Sequence, residues 1–309
     1  MGGGRWTDSD WATYSSTTTK TAKTVNDIYK SSGMAEKFDP AKITLRESRD
    51  SMDNPNSTAL IVALDVTGSM DSVLESMARE GLKTLATEIY ARKPISDPHI
   101  MYMGVGDVDA GDRAPLQVTQ FEADIRIAEQ MMDIWLERHG GGNSYEGYNL
   151  PWYFAGMKTS IDCFEKRGKK GYLFTVGDEE TPRGLSVAAV KRVFGDTIQD
   201  NLTNEQLLAM VSRMYNVYHL IVNQGSHYRA NGSQVDHKWR ELLGQRAMNL
   251  TDHTKMSEVI VSTIQANEGF AKEEILDSWD GKTSAVVAHA LKDTDVMVRN
   301  GGSGIITFE

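Results

Sequence analysis

The sequence lacks several features that would each point to a particular class of protein. A single cysteine, Cys163, rules out an internal disulfide framework and is typical of a reducing compartment. Acidic residues outnumber Lys and Arg by 43 to 33, and a net charge of -10 argues against a broad nucleic-acid or anionic-membrane face. No apolar run approaches the ~20 residues of a membrane span, and the opening residues MGGGRWTDSD lack the apolar core of a secretion signal. We therefore expect a cytoplasmic protein that binds neither nucleic acid nor membrane.

The sequence also lacks the common motifs of catalysis. No Gly-x-x-x-x-Gly-Lys phosphate loop occurs, and no serine, histidine and aspartate are arranged for acyl transfer. The 7 histidines are scattered, and no two have the spacing of a metal-binding pair. Cys163 lies in a helical pattern beside Ile161 and Phe164, which predicts a buried apolar residue rather than a nucleophile. We predict that the protein is not an enzyme.

What is present is the composition of a soluble globular protein, with 40% hydrophobic and 25% charged residues. Residues 1–57 are low in bulky apolar residues and rich in Ser, Thr and Lys, so we expect a partly flexible N-terminal arm. Residues 58–267 alternate between strand and helix patterns and are predicted to form one domain. Residues 268–309 contain one predicted helix, TSAVVAHALK, and end in a segment with the composition of a hairpin.

Short apolar runs alternate with helical patterns throughout the middle segment. The run TALIVALD at 58–65 is followed by apolar residues at three- and four-residue spacing from Met70 to Ile89, which indicates an amphipathic helix. Further strand patterns are HIMYMGVGD, KKGYLFTVGD, VYHLIVNQ, AMNL and a short edge strand, LQVTQFE, while GYNLPWYFAGMKTSIDCFEKRG predicts a single helix. Strands separated by such helices imply βαβ units. The predicted fold is α/β, a doubly wound and mainly parallel sheet flanked by helices.

The first strand ends in an unusual pattern of small oxygen-bearing side chains. Asp65, Thr67 and Ser69 alternate in DVTGSM, so an extended segment points all three the same way. Ligands of open parallel sheets bind beyond the carboxyl ends of the strands. A carboxylate and hydroxyls are hard oxygen ligands that suit Mg²⁺ or Mn²⁺ rather than zinc. A helix N-cap explains one of these residues but not the alternating set, so a cation site is predicted.

DVTGSM after an apolar strand resembles the Asp-x-Ser/Thr-x-Ser signature of von Willebrand factor A-type domains. The order of elements over 58–266 is also similar to that family, and the sequence looks like a prokaryotic or phage intracellular member. The resemblance implies a metal-ion-dependent adhesion site. In such a site Asp65, Thr67 and Ser69 coordinate a divalent cation directly or through water. One coordination position stays open for an acidic side chain of a partner protein.

Two further loops are implied to complete the coordination sphere. RHGGGNSYEGY resembles the family's second loop, with Asn143 where the family has threonine and Ser144 or Glu146 as alternative ligands. In the third loop, LFTVGDEET, Asp178 comes two residues later than the family's aspartate and is the predicted ligand. Asp107, in the acidic loop GVGDVDAGDR, and Glu146 are expected around these ligands if they do not bind the cation themselves.

Three functions follow from this site, in decreasing order of support. The resemblance implies a protein-binding module whose Mg²⁺, or alternatively Mn²⁺ or Ca²⁺, captures an Asp or Glu of a partner such as an AAA+ ATPase or an assembly component. The second is a structural or assembly protein in which the metal stabilises the fold. The third is a metal-dependent, phosphatase-like hydrolase with Asp65 as nucleophile. Thr67 disfavours it, because such enzymes need a general acid at that position.

Overall fold

The computed structural model describes residues 4, 7–16, 20–22, 24–138 and 143–294. Its centre is a six-stranded sheet. The strands of this sheet are β2 (Thr58–Asp65), β3 (Pro98–Val105), β4 (Leu116–Val118), β6 (Gly171–Gly177), β9 (Tyr215–Val222) and β10 (Ala247–Leu250). Two short pairs lie outside it: β1 (Arg46–Ser48) with β5 (Thr159–Ile161), and β7 (Gly184–Leu185) with β8 (Leu202–Thr203).

The sheet order is β10-β9-β6-β2-β3-β4, and every pairing is parallel except that of β4 with β3. The prediction of a doubly wound, mainly parallel sheet is confirmed, and LQVTQFE supplies the edge strand. When only these strands are counted in chain order, the sheet reads 6-5-4-1-2-3, so the winding direction reverses between β2 and β6. A doubly wound sheet opens a crevice at the carboxyl ends of the two strands where this reversal occurs.

Helices cover both faces of the sheet. They are α1 (Asp8–Tyr14), α2 (Val25–Ile28), α3 (Asp71–Ser76), α4 (Leu82–Arg92), α5 (Arg126–Met132), α6 (Leu150–Met157), α7 (Asp162–Glu165), α8 (Val187–Phe194), α9 (Asn204–Val211), α10 (Ser226–Leu243), α11 (Met256–Asn267), α12 (Lys272–Asp277) and α13 (Gly281–Ala290). A π-helical turn at Met77–Gly81 joins α3 to α4. None of these helices is long and apolar enough to cross a membrane.

Burial on both faces explains the uninterrupted apolar run of β2. Leu60 and Val62 belong to a core that they share with α3, α4 and α11, whereas Ile61 and Ala63 belong to a second core shared with α6, α8 and α9. Successive side chains of a strand point to opposite faces, so a strand between two helix layers needs apolar residues at every position. Asp65, the last residue of β2, is the strand's charged residue, and it is completely buried.

The single helix predicted for GYNLPWYFAGMKTSIDCFEKRG is wrong. Helix α6 ends at Met157, and the chain continues as β5 before turning into the short helix α7. β5 forms because β1 supplies a parallel partner, with Glu47 opposite Ser160. That partner lies more than a hundred residues earlier in the chain, so the local pattern could not reveal it.

The described part of the N-terminal arm packs against the domain. Val25, Ile28 and Tyr29 are buried in the core beside α3, and the Tyr29 hydroxyl donates to the Leu74 carbonyl at 3.3 Å. The Arg46 side chain donates through Nε to the Thr119 carbonyl at 3.0 Å. In the C-terminal segment, TSAVVAHALK forms α13 as predicted, and the hairpin-like stretch at 296–309 lies outside the described residues.

Candidate metal centre

The first loop folds tightly around the carboxylate that ends β2. Asp65 Oδ1 accepts hydrogen bonds from the backbone N–H of Thr67 at 2.8 Å and from Thr67 Oγ1 at 2.6 Å. Thr67 Oγ1 lies 3.3 Å from Ser69 Oγ. The structure therefore brings together the three side chains whose alternation marked this loop in the sequence.

Asp178 of the third loop also belongs to this group, although it comes two residues later in the chain than the pattern of the third loop led us to expect. It follows β6 directly and is completely buried, and Ser69 Oγ donates to its Oδ1 at 3.0 Å. Its Oδ2 accepts from the backbone N–H of His227, in the first turn of α10, at 2.9 Å. A Cβ at Gly225 would lie 2.1 Å from Asp178 Oδ2, so the approach of α10 to this carboxylate requires glycine there.

Tyr148, which was not predicted from the sequence as a site residue, contacts the second carboxylate oxygen of Asp65. Its hydroxyl donates to Asp65 Oδ2 at 2.8 Å, and its ring packs edge-on against His219 and Trp239. Burial raises the pKa of the Tyr148 phenol well above its ordinary value, so the hydroxyl keeps its proton and acts as a donor. Nothing in the residues around Tyr148 distinguishes it in the sequence from the other core aromatics.

The other residues predicted in the second loop divide into two kinds. Asn143 and Ser144 are exposed, and the amide nitrogen of Asn143 donates to Asp107 Oδ2. Within the described part of the chain, no hydrogen bond joins either of them to a side chain of the first or third loop. Glu146, in contrast, is only 2% exposed, and its Oε2 has no hydrogen-bond partner. Asp107 is also buried, and its Oδ1 accepts from the backbone N–H of Asp109 at 2.7 Å.

The site collects buried carboxyl groups that have no counterion among the described residues. Burial raises the pKa of Asp65, and the charge of Asp178 adds to the rise, although hydrogen bonds from Thr67 oppose it. Burial, followed by the charge of Asp65, raises the pKa of Glu146. The same causes raise the pKa of Glu179 to about 8. Among the described residues, no Lys or Arg forms an ion pair with Asp65, Asp107, Glu146 or Asp178, so a bound cation would relieve this repulsion.

The oxygen spacing at the centre fits a small divalent cation. Octahedral Mg²⁺ binds oxygen at about 2.0–2.1 Å, which places adjacent ligand oxygens about 2.9 Å apart. The oxygens of Asp65, Thr67, Ser69 and Asp178 follow one another at 2.6, 3.3 and 3.0 Å. In the described part of the chain no group of three or more His, Cys, Asp and Glu side chains is arranged to hold a metal. A cation here therefore depends on the hydroxyls as well as the carboxylates.

No protein-family model matches the chain, and no curated protein matches it. Several solved structures are similar to it at low identity. One is the pilus adhesin SpaC from Lactobacillus rhamnosus GG, with 10% identity and a TM-score of 0.44 over 70% of this chain and 31% of that one. Another is proximal thread matrix protein 1 from the mussel byssus with a zinc-occupied MIDAS motif, with 7% identity and a TM-score of 0.43 over 68% of this chain and 47% of that one.

A third solved structure is a von Willebrand factor type A protein from Catenulispora acidiphila, with 13% identity and a TM-score of 0.38 over 69% of this chain and 43% of that one. The chain thus aligns with less than half the length of each of these three proteins.

Proposed function

We propose that the chain is a protein-binding module in which Asp65, Thr67, Ser69 and Asp178 hold a divalent cation, Mg²⁺ or alternatively Mn²⁺ or Ca²⁺. The cation, when bound, supplies a Lewis-acidic centre for an acidic side chain of a partner protein. The observation that carries the proposal is the contact of 3.0 Å between Ser69 Oγ and Asp178 Oδ1. It joins the loops after β2 and β6, at the crevice where a doubly wound sheet binds its ligands.

The residues of the chain orient the ligand oxygens and keep the site partly neutral. The Thr67 and Tyr148 donors fix both oxygens of Asp65, and the N–H of His227 fixes Asp178. Hydroxyl ligands carry no charge, so they reduce the positive charge of a cation less than further carboxylates would. The cation would then retain an attraction for an outside carboxylate.

A groove beside the second and third loops has room for a partner segment. A groove of about 970 Å³ is lined by Ser144 and Tyr145 of the second loop, Glu180 of the third loop and Asp109 of the loop after β3. Asn143, which is also exposed, directly precedes Ser144 in the second loop. We propose that a partner's acidic residue approaches the cation from this side while its neighbours lie in the groove.

The resemblance to von Willebrand factor A-type domains supports a more specific proposal for the partner. It would be an AAA+ ATPase or an assembly component in the cytoplasm of a prokaryotic cell, or in one infected by a phage. The single free cysteine, Cys163, which is buried, is compatible with a reducing compartment.

The proposal is tested first through the melting temperature. Mg²⁺ is expected to raise that of the wild-type protein, because a ligand bound only to the folded state stabilises it. Asp65→Ala is expected to abolish the rise, and Asp277→Ala, which removes an exposed carboxylate from α12, is expected to leave it intact. An equal rise in Asp65→Ala would contradict the assignment of the site.

A second experiment measures binding to a partner directly. Immobilised wild-type protein is expected to retain a partner from cell lysate in Mg²⁺ and to release it on chelation, whereas Asp65→Ala retains none. Capture that persists under chelation would instead favour the structural or assembly role. Hydrolysis of a generic phosphate ester that depends on Asp65 would favour the phosphatase-like alternative.

A further inference from the structure

A small cavity at the amino end of the sheet is lined by cationic side chains. They are those of Lys93, Arg167, Lys169 and Lys170. We propose that this cavity binds a phosphate group, carried by inorganic phosphate or by a small phosphate monoester. The candidate metal centre lies at the carboxyl end of the sheet, so the two sites are separate.

The topology of the sheet brings together the turns that carry these cations. Strand β2 lies between β6 and β3, and both neighbours run parallel to it, so the amino ends of all three strands meet at one edge. The turn at 93–97 precedes β3, and the turn at 166–170 precedes β6. Lysines from two distant parts of the chain therefore flank the start of β2.

Helix ends fix the backbone of both turns. Lys93, with a φ of 50°, ends α4, and its N–H donates to the Ile89 carbonyl at 2.8 Å. Gly168, with a φ of 63°, turns the chain after α7, and the N–H of Lys169 donates to the Cys163 carbonyl at 2.8 Å. The fold thus places these lysines at the cavity without requiring their side chains to bind anything.

Three of the four cations at the cavity have no acidic partner in the described part of the chain. No ion pair joins Lys93, Lys169 or Lys170 to a described Asp or Glu. Arg167, in contrast, is paired with Asp50 at 2.7 Å. Like charges around one cavity repel each other, and an anion between the lysines would offset that repulsion.

The remaining walls of the cavity and its size favour a small anion. Glu268 is the carboxylate among the lining residues, and its Oε1 accepts from the Tyr172 hydroxyl at 2.6 Å. Pro94 and Cys163 are buried and line the cavity too, and such low-dielectric walls strengthen the field of nearby charges. The volume of about 240 Å³ is below the about 300–1,000 Å³ of ordinary small-molecule pockets. A single phosphate group therefore fits the cavity better than a nucleotide.

Phosphate also matches the arrangement of the cations better than a carboxylate does. Each lysine ammonium is a compact charge with three donors, and the oxygens of phosphate point in several directions. Lysines that arrive from two turns can then contact one phosphate group together, through charge-assisted hydrogen bonds. The two oxygens of a carboxylate lie in one plane and offer half the charge of a phosphate dianion.

Isothermal titration calorimetry with inorganic phosphate, at low ionic strength and without Mg²⁺, tests the proposal. Lys93→Gln and Lys170→Gln, one from each turn, are each expected to weaken phosphate binding roughly tenfold, as the loss of one charge-assisted contact should. Lys83→Gln removes an exposed lysine from α4, away from the cavity, and is the matched control with the same change in net charge. It should bind phosphate like wild type. Unchanged melting temperatures without phosphate verify that the variants fold.

The outcomes separate a built site from general attraction of an anion. Equal affinities in Lys83→Gln, Lys93→Gln and Lys170→Gln would overturn the proposal, because binding would then depend on net charge alone. Absence of binding to wild type at millimolar phosphate would overturn it as well. Asp65→Ala should bind phosphate normally, and loss of binding there would place the anion at the other end of the sheet and overturn the assignment of this cavity.

Methyl phosphate distinguishes the two sources of the phosphate group. If it binds as tightly as inorganic phosphate, and loses affinity in the same two variants, the cavity accepts a monoester. If inorganic phosphate alone shows this pattern, the cavity takes the free ion. Either result supports the proposal, whereas binding of neither compound overturns it.

Discussion

Both ends of the sheet carry acidic residues that are buried or partly buried, but only one end supplies them with counterions. At the carboxyl end, Asp65, Glu146 and Asp178 are buried without an ion pair to any described Lys or Arg. At the amino end, Asp50 and Asp162 lie beside the starts of β2 and β6. The two ends therefore allow acidic residues that have counterions to be compared with acidic residues that have none.

The amino end is a closed network of ion pairs. Arg49 contacts Asp162 at 2.8 Å, Lys166 contacts Asp162 at 2.6 Å, and Arg167 contacts Asp50 at 2.7 Å. Arg167 also donates to the Ser57 carbonyl at 2.6 Å, directly before β2. These contacts tie the N-terminal segment to the segment between β5 and β6, and they give both Asp50 and Asp162 a counterion.

The pKa values shift in opposite directions at the two ends. Burial alone would raise the pKa of Asp50, but hydrogen bonds from Arg167 and Ser57 outweigh it and hold the pKa well below its usual range. At the carboxyl end the hydrogen bonds to Asp65 do not outweigh burial and the charge of Asp178, so its pKa is raised. The same residue type is thus structural where the chain provides cations, and a candidate for binding an external cation where it does not.

Acid should disrupt the ion pairs at the amino end more completely than a single substitution, because protonation affects Asp50 and Asp162 together. The pKa of each is lowered in the folded state, so their contribution to stability is fully present above the unfolded value, near 4, and is lost progressively as the pH falls from there through the lower folded pKa. Urea unfolding between about pH 6 and about pH 3 should show this loss. Asp50→Asn should flatten the dependence, and an unchanged slope in that variant would contradict the assignment.

Removing one cation of the network should have a smaller effect. Arg167→Ala leaves Asp50, whose side chain is 16% exposed, without its closest counterion. We expect a loss of about 2 kcal/mol in the free energy of unfolding, measured in urea. Lys42→Ala, which breaks an exposed ion pair with Glu36, is the control and should change stability far less. Equal losses in the two variants would show that burial does not distinguish them.

Tyr148→Phe should produce the smallest change in stability of these variants, and it tests the carboxyl end of the sheet. It removes the hydrogen bond to Asp65 and retains the ring, so we expect a loss of about 1 kcal/mol in the free energy of unfolding. It should also alter the Mg²⁺-induced rise in melting temperature. Tyr153→Phe, whose hydroxyl contacts Asp196 at 3.1 Å, should leave that rise unchanged. An identical Mg²⁺ response in both variants would exclude a role for Tyr148 at the site.

Much of the fold could be predicted from local patterns. The apolar run of β2 and the spacing from Met70 to Ile89 each depend on burial periodicity, which the sequence displays directly. The failure at β5 has the opposite cause, since that strand exists only because β1 pairs with it.

The candidate site divides in the same way. Alternation within one loop pointed to Asp65, Thr67 and Ser69, and the structure places them together. The parts contributed by other loops were harder to predict. Asp178 stood two residues from the expected position, and nothing local signalled Tyr148, because its role depends on a contact between residues 83 positions apart.

By itself, the sequence determined the alternation of strands and helices and the oxygen-bearing turn that ends β2, because both are written in the spacing of neighbouring residues. Only the tertiary structure decided which carboxylates meet there and which of them lack a counterion. Burial and ion pairing depend on distances between segments far apart in the chain. For that reason the acidic residues at the two ends of the sheet look alike in the sequence and differ in the fold.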